Sequence, residues 1–365
     1  MASPFDHASR VASLRTAMAD ADVDVVLLSV GADLPWLIGY EAMPSERLTM
    51  AVVPQSGDIH LVVPELEAPR VTVADDLFEV VAWHETEDPL GLVADSVGGG
   101  ATVALGDQTW ARFAIGLQDR VAGIRLQTAS RMLGELRLRK DSVEIDMLRT
   151  AGAAADTVSA ALAGERFSGR TERQLAASIA EATVAAGHDK AAFTIVASGP
   201  NAASPHHEPG DRAMQRGDVV VVDFGGSVRG YHSDTTRTFA VGDPPDDVAE
   251  AFEVLVEAQR VGRKTAEAGV AAEEVDAATR TVIDDAGYGK YFIHRTGHGI
   301  GLDVHEDPYL VVGNDTALEE GMAFSIEPGI YKPGRWGMRI EDIVVVTSEG
   351  LEALNNTDRS LVVVG

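Results

Sequence analysis

The sequence has no cysteine, and this absence limits the covalent and metal chemistry of the protein. A disulfide framework is excluded, and so is a metal site built on thiolate ligands. Any bound metal ion must therefore be held by oxygen and nitrogen atoms. A chain without disulfides also fits a reducing compartment, so we expect a cytoplasmic protein.

Long hydrophobic runs are also missing from the sequence. A membrane-spanning helix needs about 18 or more consecutive apolar residues, and no stretch of the chain reaches that length. The opening residues, MASPFDHASR, lack the basic segment and the apolar segment of a signal peptide. We therefore expect a protein that is neither inserted in a membrane nor exported.

Positive charge is scarce relative to negative charge. The chain has 30 lysine and arginine residues against 57 aspartate and glutamate residues, and its formal net charge is -27. A surface with this excess repels the phosphates of nucleic acids and of anionic lipids. We therefore expect neither a nucleic acid nor a membrane as a partner.

The length of 365 residues exceeds that of one typical domain core, which predicts two domains. Residues 1–128 alternate β-branched runs such as DVVLLSV and DIHLVV with helical patterns, one of which has apolar residues at Val11, Leu14 and Met18. This alternation predicts a smaller α/β domain. No cluster with catalytic spacing appears in it, so we expect it to contribute walls and assembly contacts.

The second domain is predicted over residues 142–365, after a charged segment at 129–141 that we interpret as a linker and the start of its first helix. Asp141 and Glu144 have the spacing of a capping box, which predicts a long helix from residue 142. Thr171 and Gln174 repeat this spacing before a second helix. Helical patterns then alternate with β-branched runs, so the predicted class is α+β.

The segment DLPWLIGYEAMPSERL, residues 33–48, allows two interpretations. In the first, Trp36 and Tyr40 are core residues of a loop and Arg47 is a solvated charge. In the second, the segment is a lid that contacts substrate. The sequence alone leaves both open.

Five residues of the second domain stand out, namely Asp223, Asp234, His298, Glu327 and Glu341. They lie in the apolar or glycine-rich segments VVVDFGG, HSDTTRTF, HRTGHGIGLDVHE, SIEPGIY and MRIEDIVVV. A carboxylate buried in such a segment costs on the order of several kcal/mol unless its charge is neutralised. The turn SVRGYH separates the two aspartates and the turn YKPGRWG separates the two glutamates. Two hairpins would therefore each bring two acids side by side.

If these four acids and one imidazole converge on one place, they would repel each other unless cations lie between them. The set therefore predicts a pair of divalent metal ions. Oxygen ligands with a single nitrogen favour Mn²⁺ or Co²⁺, while Zn²⁺ and Fe²⁺ are also compatible. Two ions about 3.5 Å apart can share a water molecule, lower its pKa and stabilise a tetrahedral intermediate. The glycines on either side of His298 let the backbone approach closely.

Together, these segments resemble the motifs of the pita-bread metallopeptidases, in particular the group of Xaa-Pro dipeptidases (prolidases) and aminopeptidases P. The similarity extends over essentially the whole chain and includes the ligand order Asp, Asp, His, Glu, Glu. The resemblance implies a C-terminal pita-bread (creatinase/aminopeptidase-like) catalytic domain, preceded by a smaller α/β creatinase-type domain. It also implies a homodimer.

The resemblance further implies roles for the five residues. Asp223 would bind one ion, Asp234 and Glu341 would bridge both ions, and His298 and Glu327 would complete the second. A bridging hydroxide would attack the peptide carbonyl, and Glu327 would shuttle the proton.

Other residues match further positions of the family's motifs. His206, in SPHHEPG, matches a histidine that acts on the substrate, and its neighbour His207 is expected to be incidental. His305 matches a histidine that contacts the tetrahedral intermediate, and His294 matches a third imidazole at the substrate. Arg339 would be a cation near Glu341.

The implied reaction is hydrolysis of the peptide bond before proline in small peptides with proline second, most simply Xaa-Pro dipeptides. That bond has no N–H, so proteases that bind an extended backbone cannot accommodate it. A dipeptide-only enzyme needs a cation for the proline carboxylate and a wall beyond it. We expect Arg47 or Trp36 of a neighbouring subunit to supply them.

Several alternatives share parts of this pattern. Aminopeptidase P, which acts on longer Xaa-Pro peptides, has the same motifs. Methionine aminopeptidases usually lack the N-terminal domain, and creatine amidinohydrolases have lost the metal ligands. A non-catalytic binding module of this fold typically loses ligands as well, whereas all five are present here.

Overall fold

The computed structural model describes residues 3–72 and 76–365. The chain divides into two units, Met1–Arg137 and Leu138–Gly365. The segment 129–141, which we interpreted as a linker and the start of the next helix, contains a helix of its own, Ser130–Leu138, and the boundary between the units falls near the end of that helix. None of the described helices is long and apolar enough to cross a membrane.

The N-terminal unit is built on one mixed sheet. Its helices are α1 His7–Asp20, α2 Asp33–Ile38, α3 Pro89–Asp95, α4 Ala111–Arg120 and α5 Ser130–Leu138, which ends just past the unit boundary. Its strands are β1 Val25–Leu28, β2 Met50–Pro54, β3 His60–Pro64, β4 Glu79–Trp83, β5 Thr102–Leu105 and β6 Arg125–Thr128. The strand order is β4-β3-β2-β1-β5-β6. Helices that alternate with strands around one sheet confirm the predicted α/β class.

The segment 33–48 begins with a helix, so its interpretation as a loop is wrong for α2. Pro35 lies in the first helical turn, where proline is tolerated, and the helix ends at Gly39 in the left-handed conformation with φ of 75°. Trp36 on this helix is 4% exposed and Tyr40 is 6% exposed. Burial of these two rings agrees with their predicted place in a core.

The C-terminal unit combines two sheets and a hairpin with two pairs of helices. The helices are α6 Ser142–Leu162, α7 Glu172–Ala185, α8 Asp246–Thr265 and α9 Ala272–Asp285. The strands are β7 Lys190–Ser198, β8 Val219–Val228, β9 Tyr231–His232, β10 Thr235–Val241, β11 Gly297–Gly299, β12 Glu306–Leu310, β13 Ala323–Ile326, β14 Gly329–Lys332, β15 Trp336–Arg339, β16 Asp342–Thr347, β17 Gly350–Ala353 and β18 Val362–Val364. The sheet orders are β18-β10-β8-β7, with β9 beside β8, and β12-β11-β13-β16-β17, while β14 pairs with β15.

The first two helices of this unit begin as the sequence predicts. Asp141 accepts a hydrogen bond from the Glu144 amide while the Glu144 side chain caps the Asp141 amide. Thr171 and Gln174 form the same reciprocal pair before α7. Both capping boxes satisfy amide groups that the first helical turn leaves without partners.

Strand alternation decides where Asp223 points. Val220, Val222 and Phe224 of β8 pack with α6 and α7 in one hydrophobic core. Since successive residues of a strand face opposite sides of the sheet, Asp223 lies on the face turned away from these helices. The buried strand β8 thus places the Asp223 carboxylate on the face of the sheet opposite to α6 and α7.

The second sheet places two glutamates by the same rule. Phe324 of β13 pairs with Val344 of β16, and both side chains pack in a core with Val275 of α9. Glu327 follows the end of β13 and Glu341 precedes β16, each three positions from its core residue. An odd separation on an extended chain puts both carboxylates on the face opposite to the helices.

A candidate dinuclear metal centre

The two sheets bring the five predicted ligands together. Ligand atoms of Asp223, Asp234 and Glu341 lie within 4.8 Å of one another, and so do those of His298, Glu327 and Glu341. Glu341 belongs to both sets. A backbone bridge between Thr236 and Glu341 connects the two sheets at this point.

The glycines beside His298 are required by close packing of the backbone. A Cβ atom on Gly297 would lie 1.9 Å from the carbonyl oxygen of Ser325, and one on Gly299 would lie 2.1 Å from that of Asp307. Any larger residue would therefore push β11 away from its neighbours. This agrees with the close backbone approach expected from the sequence.

The electrostatics of the cluster are unfavourable for a protein without a bound cation. Burial and the charge of Glu341 raise the pKa of Asp234 well above its ordinary value. Burial and the charges of Glu327 and Asp223 likewise raise the pKa of Glu341. Burial raises the pKa of Glu327 to about 7, although Arg339 opposes the shift. These directions mean that ionising the acids costs free energy unless positive charge is added.

His298 is a neutral imidazole whose orientation would suit a metal ligand. Its Nδ1 lies 3.0 Å from the carbonyl oxygen of Gly299 and donates to it, so Nε2 carries the lone pair. Nε2 lies 3.4 Å from Glu327 Oε1 and 3.7 Å from Asp234 Oδ2. Burial lowers the pKa of His298 to about 3, with the charge of His305 adding to the shift. A histidine that gives its other N–H to a backbone carbonyl is the usual arrangement at a metal.

Two buried carboxylate oxygens without partners are a second, independent sign that the cluster suits divalent cations. Asp223 Oδ1 and Glu341 Oε1 are buried and have no hydrogen-bond partner among the described residues. Buried carboxylate oxygens are rarely left unpaired, because the lost hydration is not replaced. Both residues belong to the cluster, so a cation there would supply the missing partner of these oxygens.

Arg339 holds the other side of the cluster. Its Nη2 donates to Asp223 Oδ2, its Nε donates to the hydroxyl of Thr236 at 3.0 Å, and its Nη1 donates to the hydroxyl of Tyr331 at 2.8 Å. The guanidinium is buried, with 2% of the residue exposed. It therefore orients Asp223 and neutralises part of the negative charge.

Tyr331 and His294 extend this network. The Tyr331 hydroxyl lies 2.9 Å from His294 Nε2, and His294 Nδ1 lies 2.7 Å from the carbonyl oxygen of Arg295. Burial lowers the pKa of His294 to about 3, so the imidazole is neutral. Nδ1 then donates to the carbonyl, and Tyr331 donates to Nε2. Both ring nitrogens of His294 are thus held by the protein.

The cluster opens into a cavity of about 640 Å³. His206 and His305 are exposed side chains that line it, together with Arg295. The ring centroids of His305 and His298 are 4.1 Å apart. The cavity wall also includes apolar side chains of Phe193 and Val304.

Arg47 and Trp36 belong to the N-terminal unit and have contacts inside it. Arg47 donates to Glu85 at 2.9 Å and to Glu46 at 2.7 Å. The Trp36 ring lies 5.0 Å from the guanidinium of Arg10. The suggested contribution of Arg47 or Trp36 to a neighbouring subunit stays a prediction.

Sequence reasoning missed several residues that shape the site. Tyr331 was part of a recognised motif but had no role assigned, although its ring lies between two residues that did. Ser325 accepts from the His298 amide at 3.0 Å and donates to Glu327 at 3.2 Å. Alternation along β13 would have placed Ser325 beside Glu327 on the same face. Arg295 carried no signal beyond its place next to His294.

Comparisons with known proteins agree with this geometry. Residues 146–348 match the model of metallopeptidase family M24, and residues 10–139 match the creatinase/prolidase N-terminal domain. The chain is 37% identical over 358 residues to an Xaa-Pro dipeptidase of Lactobacillus helveticus, covering 95% of this chain and 96% of the relative.

Two solved structures are similar over nearly their whole length. Dipeptidase PepE from Mycobacterium ulcerans has a TM-score of 0.93 and 48% identity, covering 99% of this chain and 100% of that chain. A prolidase from Thermococcus sibiricus has a TM-score of 0.94 and 35% identity, covering 98% and 99% respectively. The predicted resemblance and fold class are confirmed, and the family implies divalent metal ions. This chain belongs to metallopeptidase family M24, with a creatinase/prolidase N-terminal domain.

Proposed function

We propose that this metallopeptidase hydrolyses the peptide bond before proline in Xaa-Pro dipeptides. The observation that supports the proposal best is the complete set of five ligands beside one cavity, with two buried carboxylate oxygens that lack partners. The similarity to proteins named Xaa-Pro dipeptidase and prolidase adds the substrate class.

Two divalent cations, first Mn²⁺ or Co²⁺ and then Zn²⁺ or Fe²⁺, are proposed at this centre. Asp223, Asp234 and Glu341 would hold one, and His298, Glu327 and Glu341 would hold the other, with Asp234 as a second bridging residue. Such ions supply Lewis-acid polarisation of a carbonyl and a more acidic water. The oxygen-rich donor set supports this choice of metals.

Glu327 is proposed to hold and pass on the proton. Its carboxyl belongs to the ligand cluster and lines the cavity, so it is within reach of a bound peptide and can take part in proton transfer. Ser325 donates to Oε1 at 3.2 Å and so fixes the carboxyl orientation. The result is a group that can accept a proton and donate it to the leaving proline nitrogen.

His206 and His305 are proposed to contact the substrate, because both are exposed in the cavity wall. His294 and Arg339 also line the cavity and are proposed to contact the substrate as well, with Tyr331 hydrogen-bonded to both. A cavity of about 640 Å³ falls in the range of ligand sites, roughly 300 to 1,000 Å³. It excludes a folded polypeptide and admits a short peptide.

Recognition of a dipeptide needs a cation for the proline carboxylate. Arg47 or Trp36 of a partner subunit in a homodimer remains our prediction for the group that supplies this cation or the wall beyond the carboxylate. Arg295 is a second candidate, because it lines the cavity of the same unit and its guanidinium lies 4.2 Å from the ring of Tyr309. Single substitutions Arg47→Ala and Arg295→Ala, each assayed for KM on a dipeptide and on its amide, would separate the two candidates.

The test of the main proposal compares an Xaa-Pro dipeptide with a tripeptide that starts Xaa-Pro, in the presence of Mn²⁺. We expect the dipeptide to be cleaved with the higher kcat/KM and Asp234→Asn to abolish turnover of both. Efficient cleavage of the tripeptide would instead support an aminopeptidase P. No turnover of either peptide, with no metal bound, would support a non-catalytic binding module.

A further inference from the structure

Glu172, outside the metal cluster, is a buried carboxylate with an unusually full set of partners. It is the first residue of α7 and is 0% exposed. Its oxygens accept from the amide and hydroxyl of Ser198, at 2.8 and 2.7 Å, and from the side-chain amide of Asn201, at 3.0 and 3.2 Å. They also accept from His207 Nε2 at 2.9 Å and from the Gly210 amide at 3.1 Å.

These partners come from successive parts of one segment. Ser198 ends β7, Asn201 lies in the 3₁₀ turn Gly199–Ala203, and His207 and Gly210 follow that turn. The Glu172 side chain therefore forms hydrogen bonds along a segment of about a dozen residues, most of it irregular backbone. Arg339 also holds the segment, because its Nη1 donates to the Pro205 carbonyl at 3.4 Å, but Glu172 binds it at both ends and in the middle.

The same segment carries residues of the substrate cavity. Pro205 and His206 line the cavity, whereas the adjacent His207 bonds to Glu172. The two histidines of SPHHEPG therefore have different surroundings, one in the cavity wall and one against a buried acid. The expectation that His207 is incidental does not account for this contact.

The contact is strong enough to orient the segment. Burial alone would raise the pKa of Glu172, but hydrogen bonds from Ser198, Asn201 and His207 outweigh it and lower the pKa. The carboxylate is therefore ionised, and hydrogen bonds to an ionised acceptor are stronger than neutral ones. Arg212 also helps to hold Ser198, because its Nη1 donates to the Ser198 hydroxyl at 2.7 Å.

We propose that Glu172 and His207 are positioning residues that set the orientation of His206 toward the substrate. This inference rests on the proposed function for its kinetic consequence. The pair touches neither the metal ligands nor the reacting atoms, so it acts through His206. Misplacing a substrate-contacting group by about 1 Å can cost up to about 100-fold in rate.

His207 is the better residue to substitute. Removing the fully buried Glu172 would also leave its other hydrogen-bond donors without an acceptor. In His207→Leu the ring contact is lost, while in His207→Gln the side-chain amide can still donate to Glu172. The exposed Glu208 of the same segment supplies a matched control, Glu208→Gln. His206→Gln, alone and combined with His207→Leu, completes a double-mutant cycle.

The assay measures kcat and KM on an Xaa-Pro dipeptide, with Mn²⁺ affinity measured on the same proteins. We expect His207→Leu to lower kcat/KM about 10- to 100-fold, His207→Gln to regain most of it, and Glu208→Gln to match the wild type. In the His206→Gln background, His207→Leu should cost less than about twofold more, because the two act together. Mn²⁺ affinity should not change.

Additive losses in the cycle, or equal losses from the leucine and glutamine variants, would overturn the proposal. Hydrogen exchange of the metal-free proteins tests the placement without any activity. His207→Leu should speed exchange of the Ser198 and Gly210 amides at least about tenfold, the size expected when a hydrogen bond to a charged group is lost, and His207→Gln should not. An inactive wild type with these exchange differences refutes the dipeptidase function and retains the positioning role. An active wild type without them refutes the positioning role alone.

Discussion

The hydroxyl of Thr236 donates a 2.7 Å hydrogen bond to Glu341 Oε2. The same hydroxyl accepts from Arg339 Nε at 3.0 Å. Oε2 is thereby held by the protein, while Oε1 remains without a partner among the described residues and belongs to the ligand cluster. Thr236, which lies outside the predicted ligand set, thus fixes the orientation of the Glu341 carboxylate, with Oε1 placed 3.9 Å from His298 Nε2.

Thr236→Val should weaken metal binding, since it keeps the shape of the side chain and removes the hydroxyl. Loss of a partner that orients a metal ligand typically costs about 10- to 100-fold in affinity, and we expect a loss of this size for Mn²⁺ by titration calorimetry. Thr238→Val is the matched control, because Thr238 is buried on the same strand and donates to the backbone carbonyl of Arg339 at 2.8 Å. Equal Mn²⁺ affinity of the Thr236 variant and the wild type would contradict the orienting role.

Asp234→Asn should separate catalysis from folding. The neutral amide cannot replace a carboxylate ligand, so turnover should fall by more than the roughly 100-fold lost with an outer partner. Because burial and neighbouring acids already raise the pKa of Asp234, removing its charge should leave the metal-free protein at least as stable as the wild type. Urea unfolding with a chelator tests this, with the exposed Asp315→Asn as control. A strongly destabilised metal-free variant would argue against charge repulsion in the cluster.

The metal-free protein should lose stability as the pH rises through the acid range of the cluster. Burial raises the pKa of Glu327 from 4.5 to about 7, so the folded state binds more protons than the unfolded state between these values. The free energy of unfolding then decreases with rising pH over this window, by on the order of 1 to 3 kcal/mol for one such carboxyl. Asp234 and Glu341 shift in the same direction.

Denaturant unfolding with a chelator, at about pH 5 and about pH 7.5, measures this dependence. Glu327→Gln should flatten it, and added Mn²⁺ should abolish it, because a cation removes the cost of the ionised acids. A metal-free wild type that gains stability over the same interval would show that the acids are not close enough to repel.

Tyr331→Phe should disconnect Arg339 from His294. The substitution removes a hydroxyl that bonds both side chains, at 2.8 and 2.9 Å, and leaves a buried imidazole nitrogen without a donor. Such an unsatisfied group costs about 1 to 3 kcal/mol of stability, measurable by denaturant unfolding.

The kinetics of Tyr331→Phe test whether the hydrogen bonds that join Arg339, Tyr331 and His294 matter for turnover. We expect kcat/KM for a dipeptide to fall about tenfold, because His294 lines the cavity and gains rotational freedom there. The metal affinity should change less, since Tyr331 contacts none of the five ligands directly. Wild-type kinetics combined with the expected loss of stability would limit Tyr331 to a structural role.

Much of the local structure and the ligand set could be predicted from short segments. The capping boxes at Asp141 and Thr171 depend on residues three positions apart, and β8 is recognisable from its valine run. Asp223 stood out because an acid in a buried strand is costly. The family motifs then connected it with the other four ligands.

The contacts that orient these ligands could not be predicted in this way. Thr236 and Glu341 are 105 residues apart, and Glu172 and His207 are 35 apart. None of these four has a local pattern that names its partner. The helix α2 was also missed, since a helix of six residues is too short for a clear hydrophobic period and this one contains a proline.

The sequence by itself determined which residues are available for metal chemistry, because the absence of cysteine and the buried acids follow from residue type and spacing. Tertiary structure alone decided which carboxylate oxygens remain unpaired, which nitrogen of His298 is free and which of two adjacent histidines lines the cavity. The physical reason is that hydrogen-bond pairing depends on distances between segments remote in sequence, and only the packed sheets set those distances.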